Sequence, residues 1–114
     1  MDVTKTRIEL VNDALGKLMV VASGQSAEAE DEALVDGKVD ALILQLATDE
    51  ICDITDADAI PSEWFDPVSS LLANVCASYF GRPYSLDAKT TFERQLIRLT
   101  SPRPTYEVLK ADYF

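Results

Sequence analysis

The chain has 114 residues, with 20 acidic and 10 basic side chains, a formal net charge of −10, no histidine and 47% hydrophobic residues. That length suits a single core, and the hydrophobic share is that of a chain able to fold despite its charge. Without histidine, Ser-His and Cys-His nucleophile pairs and His-ligated metals are excluded, while the excess of acid disfavours nucleic acid and anionic membrane surfaces as binding partners.

The amino terminus mixes Asp2, Lys5, Arg7 and Glu9 into a helical pattern and carries no apolar signal-peptide core. Ile8, Val11, Leu15 and Leu18 recur at spacings of three and four, which predicts a first helix over residues 5–17 with those four on its inner face. Thr6 with Glu9 three residues on forms a potential capping box, with Thr4 as an alternative cap. Leu18 to Ala22 reads as an extended connector ending at Ser23-Gly24.

Ser26 followed by Glu28, Glu30, Asp31 and Glu32 marks the start of a second helix, because a hydroxyl cap and early carboxylates complement the helix dipole. Val35, Val39, Leu42 and Leu46 form its core stripe. Ala33, Gly37 and Leu44 fall on the opposite side, either as a second contact face or as scattered surface apolars. From Asp49 to Asp58 the period is lost and acids surround Ile51, Cys52 and Ile54. A calcium loop begun at Asp56 would need ligands at Asp58 and Ile60, glycine at Pro61 and glutamate at Pro67, so the pattern fails at the last three, and a solvated acidic loop is expected.

Pro61 and Asp66-Pro67 both resemble helix starts. The sequence predicts a short turn carrying Trp64 and Phe65, then a third helix over 67–80, or a continuous helix kinked at Pro67. Val68, Leu71, Leu72, Val75 and Tyr79 are expected to share its inner face, with Cys76 at the edge, and the absence of charge predicts burial nearly all round. Trp64 and Phe65 are candidates either for an intersubunit contact or for a lid on the chain's own core. Gly81-Arg82-Pro83 is the stop. The charge-free run over 67–81 falls short of the roughly 17 residues that span a bilayer. Cys52 and Cys76 are too few for a disulfide framework and are expected as reduced, buried thiols.

Ser85 and Asp87 open a fourth helix with Ala88, Phe92, Leu96 and Leu99 inward and Arg94 and Arg98 outward. Beyond Ser101-Pro102-Arg103-Pro104, the tail is unusually apolar, and Tyr106, Val108, Leu109, Tyr113 and Phe114 mark it as a docking segment. The expected fold is all-α: a small bundle of four helices with a buried central third helix and an extended C-terminal tail, divided into a helical domain over 1–101 and a docking tail over 102–114. Residues 24–66 hold thirteen acids and a single base, whereas residues 82–114 hold six bases and four acids. Opposite charge on two parts of one chain suits either heterologous pairing of copies, which closes into a ring when the rotation permits, or simply a monomer kept soluble by its charge.

Several stretches carry a resemblance to the head-to-tail adaptor (head completion, tail accessory or connector) proteins of tailed bacteriophages. They are Leu10-Val11-Asn12-Asp13-Ala14-Leu15-Gly16-Lys17-Leu18, Ala22-Ser23-Gly24-Gln25-Ser26, Ala59-Ile60-Pro61-Ser62-Glu63-Trp64-Phe65, Leu71-Leu72-Ala73-Asn74 and the terminal Val108-Leu109-Lys110-Ala111-Asp112-Tyr113-Phe114. The resemblance implies a structural virion protein at the head–tail junction, assembled in the host cytoplasm. It also implies a dodecameric ring of copies beneath the portal protein, with a downstream tail or nozzle protein attached and DNA passing through the channel without specific binding. It transfers no catalytic, metal or cofactor residue. Tyr106, Val108, Leu109, Tyr113 and Phe114 then become the docking residues for the portal or a neighbouring copy, and Ala33, Gly37, Leu44, Trp64 and Phe65 the subunit interface. The alternative is a small acidic protein-binding module or DNA-mimic inhibitor. An acid–base enzyme built on Asp53, Asp56, Asp58 and Glu63 is the weakest reading, because nothing fixes a substrate beside them.

Overall fold

The structure is a computed structural model that describes residues 4–18 and 29–100. Among the described residues it is mostly helical, with four helices and one two-stranded sheet. In chain order these are β1 (Thr4–Lys5), α1 (Arg7–Lys17), α2 (Ala29–Thr48), β2 (Ile60–Pro61), α3 (Ser62–Cys76), a 3-10 turn (Ala77–Phe80) and α4 (Leu86–Thr100). β1 and β2 pair antiparallel, Thr4 opposite Pro61 and Lys5 opposite Ile60. The sequence shows no sign of this pair, because two residues per strand are too few to display a period. Apart from Leu18, the connector expected over 18–22 and its end at Ser23-Gly24 lie outside the described residues, as do the Ser26 cap and the docking tail over 102–114.

α1 starts at Thr6 through the expected capping box: the Glu9 backbone N–H donates to Thr6 Oγ1 at 3.3 Å, and the Thr6 N–H donates to Glu9 Oε1 at 3.0 Å. Its buried face is Leu10, Val11, Ala14 and Leu15, continued by Leu18, whereas Ile8 is 52% exposed. The inner face therefore differs from the expected stripe at Ile8. α1 packs on both α2 and α3, and this turns its inner face by roughly 50° at 100° per residue, bringing Leu10 and Ala14 inward in place of Ile8.

α2 buries Val35, Val39, Leu42 and Leu46, as its period predicts. It ends in a Schellman-type closure in which the Ile51 N–H donates to the Leu46 carbonyl at 2.9 Å and the Glu50 N–H to the Ala47 carbonyl at 3.1 Å. Glu50 holds the left-handed position at φ 58°, where glycine is the usual occupant. Glu50→Gly is therefore expected to raise stability by about 0.5 to 1 kcal/mol, glycine's larger unfolded-state entropy offsetting part of the relieved strain. A lower urea midpoint for the variant would contradict this.

α3 runs unbroken from Ser62 through Pro67 to Cys76. Pro67 lies in the second turn, where the bond it forfeits is to the Glu63 carbonyl near the exposed helix start. Continuing the helix back to Ser62 packs Trp64 and Phe65 against the core and brings Asp66 to Lys17. Of the two expectations, a separate short turn carrying Trp64 and Phe65 or a helix continuous through Pro67, the structure has the continuous helix. Burial falls on Pro67, Val68, Ser69, Leu71, Leu72, Ala73 and Cys76, while Val75 and Tyr79 face outward at 38% and 56% exposed. The near-complete burial expected of this segment therefore fails on one side of its end, where Val75 and Tyr79 are exposed while Cys76 and Ala77 beside them are buried. The last turn tightens into the 3-10 segment and closes on Gly81 at φ 72°.

α3 packs against α1, α2 and α4. α4 buries only Leu96 completely, with Phe92 packed beside it. Leu99, expected inward, is 39% exposed in the last turn of α4. Asn74 ties the two helices: its side-chain amide donates to the Ser85 carbonyl at 2.8 Å and accepts the Ser85 N–H at 2.9 Å. Ser85 Oγ in turn caps Ala88 at 3.1 Å. At the far end the Thr100 hydroxyl donates to the Ile51 carbonyl at 3.0 Å. Among the described residues no buried side-chain polar atom lacks a partner.

Candidate interaction surfaces

Among the described residues, acids and bases of different helices meet at two places. Arg7, at the start of α1, places its Nε 2.6 Å from Asp36 and its Nη1 2.7 Å from Asp40 on α2, and donates to the Asp36 carbonyl at 3.0 Å. Its backbone N–H donates to Asp58 at 3.2 Å, which ties the acidic loop to the same point. Hydrogen bonds to the two carboxylates raise the Arg7 pKa, and the guanidinium holds the Asp40 carboxyl below its ordinary value. At the other end of α1, Lys17 lies 2.8 Å from Asp66 and 3.1 Å from Asp13, and Asp13 also accepts from the fully buried Ser69 hydroxyl. Partial burial pulls the Lys17 pKa down, but the two carboxylates outweigh it and the net shift is upward.

The acids of residues 30–66 all remain at least partly exposed. No three acidic or cysteine side chains converge as a metal-binding set among the described residues. Burial, with the Asp53 charge adding to it, pushes the Cys52 thiol up to about 11, and burial raises Cys76 as well. Both thiols are therefore protonated at neutral pH and poor nucleophiles. No helix among the described residues is long and apolar enough to cross a membrane.

The residues singled out in the sequence divide by location. Ala33, Gly37 and Leu44 are exposed together on the face of α2 opposite its core stripe, Leu44 at 68%. Trp64 and Phe65 are half-buried against the core, with the Lys5 ammonium 5.8 Å from the Phe65 ring centroid. The structure thus separates these five into an outward α2 face and a pair at the start of α3. Tyr106, Val108, Leu109, Tyr113 and Phe114 lie outside the described residues.

Two surface hollows border these elements. One, of about 330 Å³, is floored by Leu18, Ala73, Ala77 and Phe92, with Lys17 and Arg82 at its edge. The other, of about 370 Å³, lies between α1 and α2, where Ile8, Ala29 and Ala33 are flanked by Glu32 and Asp36. The second adds Ile8 to the exposed face of α2. Sequence reasoning missed it by assigning Ile8 to the core, although choosing Leu10 and Ala14 for the stripe would have released it.

No protein-family model, curated protein or solved structure matches the chain. Its functional reading therefore rests on its own residues.

Proposed function

We propose that the chain is a structural head-to-tail adaptor of a tailed phage or prophage. In this reading its helices form a bundle around α3, and copies assemble into a dodecameric ring beneath the portal protein. The ring extends the DNA channel and offers a platform to the next tail or nozzle protein, so the protein belongs to the virion at the head–tail junction. The work is mechanical, with no catalytic step and no cofactor.

The observation that supports this best is the two-sidedness of α2. Val35, Val39, Leu42 and Leu46 satisfy the core, yet Leu44 is left 68% exposed on the same face as Ala33 and Gly37. An apolar side chain beside small residues, on a helix already packed through its other side, suits contact with another molecule. The exposed acids of α2 and of the loop after it suit a channel, since carboxylates repel the duplex and let it slide where a basic lining would hold it.

The test is electron microscopy of the full chain mixed with the portal of the phage or prophage that encodes it. Rings capped onto portal are expected, together with their loss when residues 105–114 are deleted while the helical circular dichroism is kept. Undiminished portal binding by the deletion variant would remove the docking role of the tail. Failure of the full chain to bind would sink the adaptor reading itself.

A further inference from the structure

Internal ion pairing leaves an uneven remainder of charge. Lys5, Arg7 and Lys17 are engaged by acids of α1, α2 and α3, Lys89 is engaged by Glu93, and Lys38 lies 5.2 Å from the Tyr79 ring centroid. Among the described residues, the bases with no acidic partner are Lys38, Arg82, Arg94 and Arg98, and the last two share the outward face of α4. Glu30, Asp31 and Glu32, in the first turn of α2, likewise have no ion pair.

We propose that the outward face of α4 docks antiparallel on the exposed face of α2 of a second copy. Both faces repeat at helical spacing: Ala33, Gly37, Ala41 and Leu44 on α2 are exposed, and so are Leu86, Thr90, Arg94 and Arg98 on α4. Running the helices in opposite directions sets Arg98 at the Ala33 hollow flanked by Glu32 and Asp36. Arg94 then meets Gly37, where the missing side chain admits the guanidinium beside Asp36 and Asp40. Leu86, 66% exposed, covers Leu44, 68% exposed. A parallel arrangement would bring Arg98 to Leu44 and leave Glu30–Glu32 facing Leu86, matching neither charge nor apolar surface, so the charge pattern selects the antiparallel one. The occupant is another copy of the chain because the two faces complement each other and not themselves. Contacts of this heterologous kind propagate from copy to copy and close into rings or extend. The proposal rests on the adaptor reading for the role of the assembly and names the surfaces that would build it.

Sedimentation velocity of the full chain at 50 and 500 mM salt tests it, with portal binding followed in parallel by electron microscopy. The wild-type chain is expected to self-associate and to do so more weakly at high salt. Arg94→Glu/Arg98→Glu and Glu30→Lys/Glu32→Lys should each weaken association at least tenfold with unchanged circular dichroism. An equimolar mixture of the two variants should associate again, because each acidic face then meets a basic one. A monomeric wild-type chain at 200 µM in low salt, or variants that associate like the wild type, would overturn the contact. Portal rings formed equally well by both variants would also overturn it while leaving the adaptor reading intact. Absence of portal binding by a wild-type chain whose self-association follows the charge swaps would overturn only the adaptor reading.

Discussion

Leu96→Ala is expected to destabilise the protein by about 3 kcal/mol, the largest effect of any single truncation in α4. Leu96 is fully buried, so truncation removes apolar contact and leaves a cavity that neighbouring side chains fill only in part. Among the described residues α4 has no second fully buried side chain. Phe92 is half-buried, and further ties include the Asn74–Ser85 pair and the Thr100 hydroxyl on Ile51. For a domain of this size the loss corresponds to a fall in melting temperature of roughly 15 °C. Amide exchange should accelerate in α4 more than in α3, because α4 depends on the Leu96 side chain to stay docked, whereas α3 is also held by α1 and α2. A urea-unfolding loss below about 1 kcal/mol, or exchange rising equally in both helices, would show that α4 is held by something other than Leu96.

α4 also shows where the sequence is informative and where it is not. Phe92 and Leu96 are found by spacing alone, and Arg94 and Arg98 are placed outward by the same rule. Leu99 fits that spacing equally well and yet is 39% exposed, because period fixes which residues share a side and not how wide the covering neighbour is. Ile8 in α1 fails for a related reason: two apolar stripes overlap on that helix, and only contact with both α2 and α3 decides between them. In α3, local turn chemistry offers two helix starts, Pro61 and Asp66-Pro67, and the packing of Trp64 and Phe65 goes with the first, so that the helix begins at Ser62. The cross-chain ties are invisible to any local pattern. Arg7 to Asp36 and Asp40, Lys17 to Asp66 and Asn74 to Ser85 depend on which helices become neighbours.

Those ties also change the meaning of the net charge. Counted along the sequence, residues 24–66 form an acidic block and residues 1–23 carry no net charge. In space, Arg7 and Lys17 of α1 neutralise part of that block at the α1–α2 and α1–α3 contacts. The repulsion that remains is concentrated in the first turn of α2 and the loop after it, where a partner bearing arginine would relieve it.

Arg7→Ala is expected to cost about 1 to 2 kcal/mol at pH 7. The side chain makes charge-assisted hydrogen bonds to Asp36 and Asp40, but Asp40 is 78% exposed, and solvent screening discounts its share. The loss has a second origin: Asp36 and Asp40, one turn apart on α2, are left as unscreened like charges. Arg7→Lys should recover less than half of it, because an ammonium cannot span both carboxylates and the Asp36 carbonyl as the planar guanidinium does. The pH dependence has a definite sign. The Asp40 carboxyl is held below its ordinary value by Arg7, so its contribution is present above the unfolded value near 3.9 and is lost as pH falls through the folded one. The stability gap between wild type and Arg7→Ala should therefore narrow between pH 5 and pH 2.5 in urea titrations. A gap that stays constant over that range would show that Arg7 acts through packing of its aliphatic stem and not through the two carboxylates.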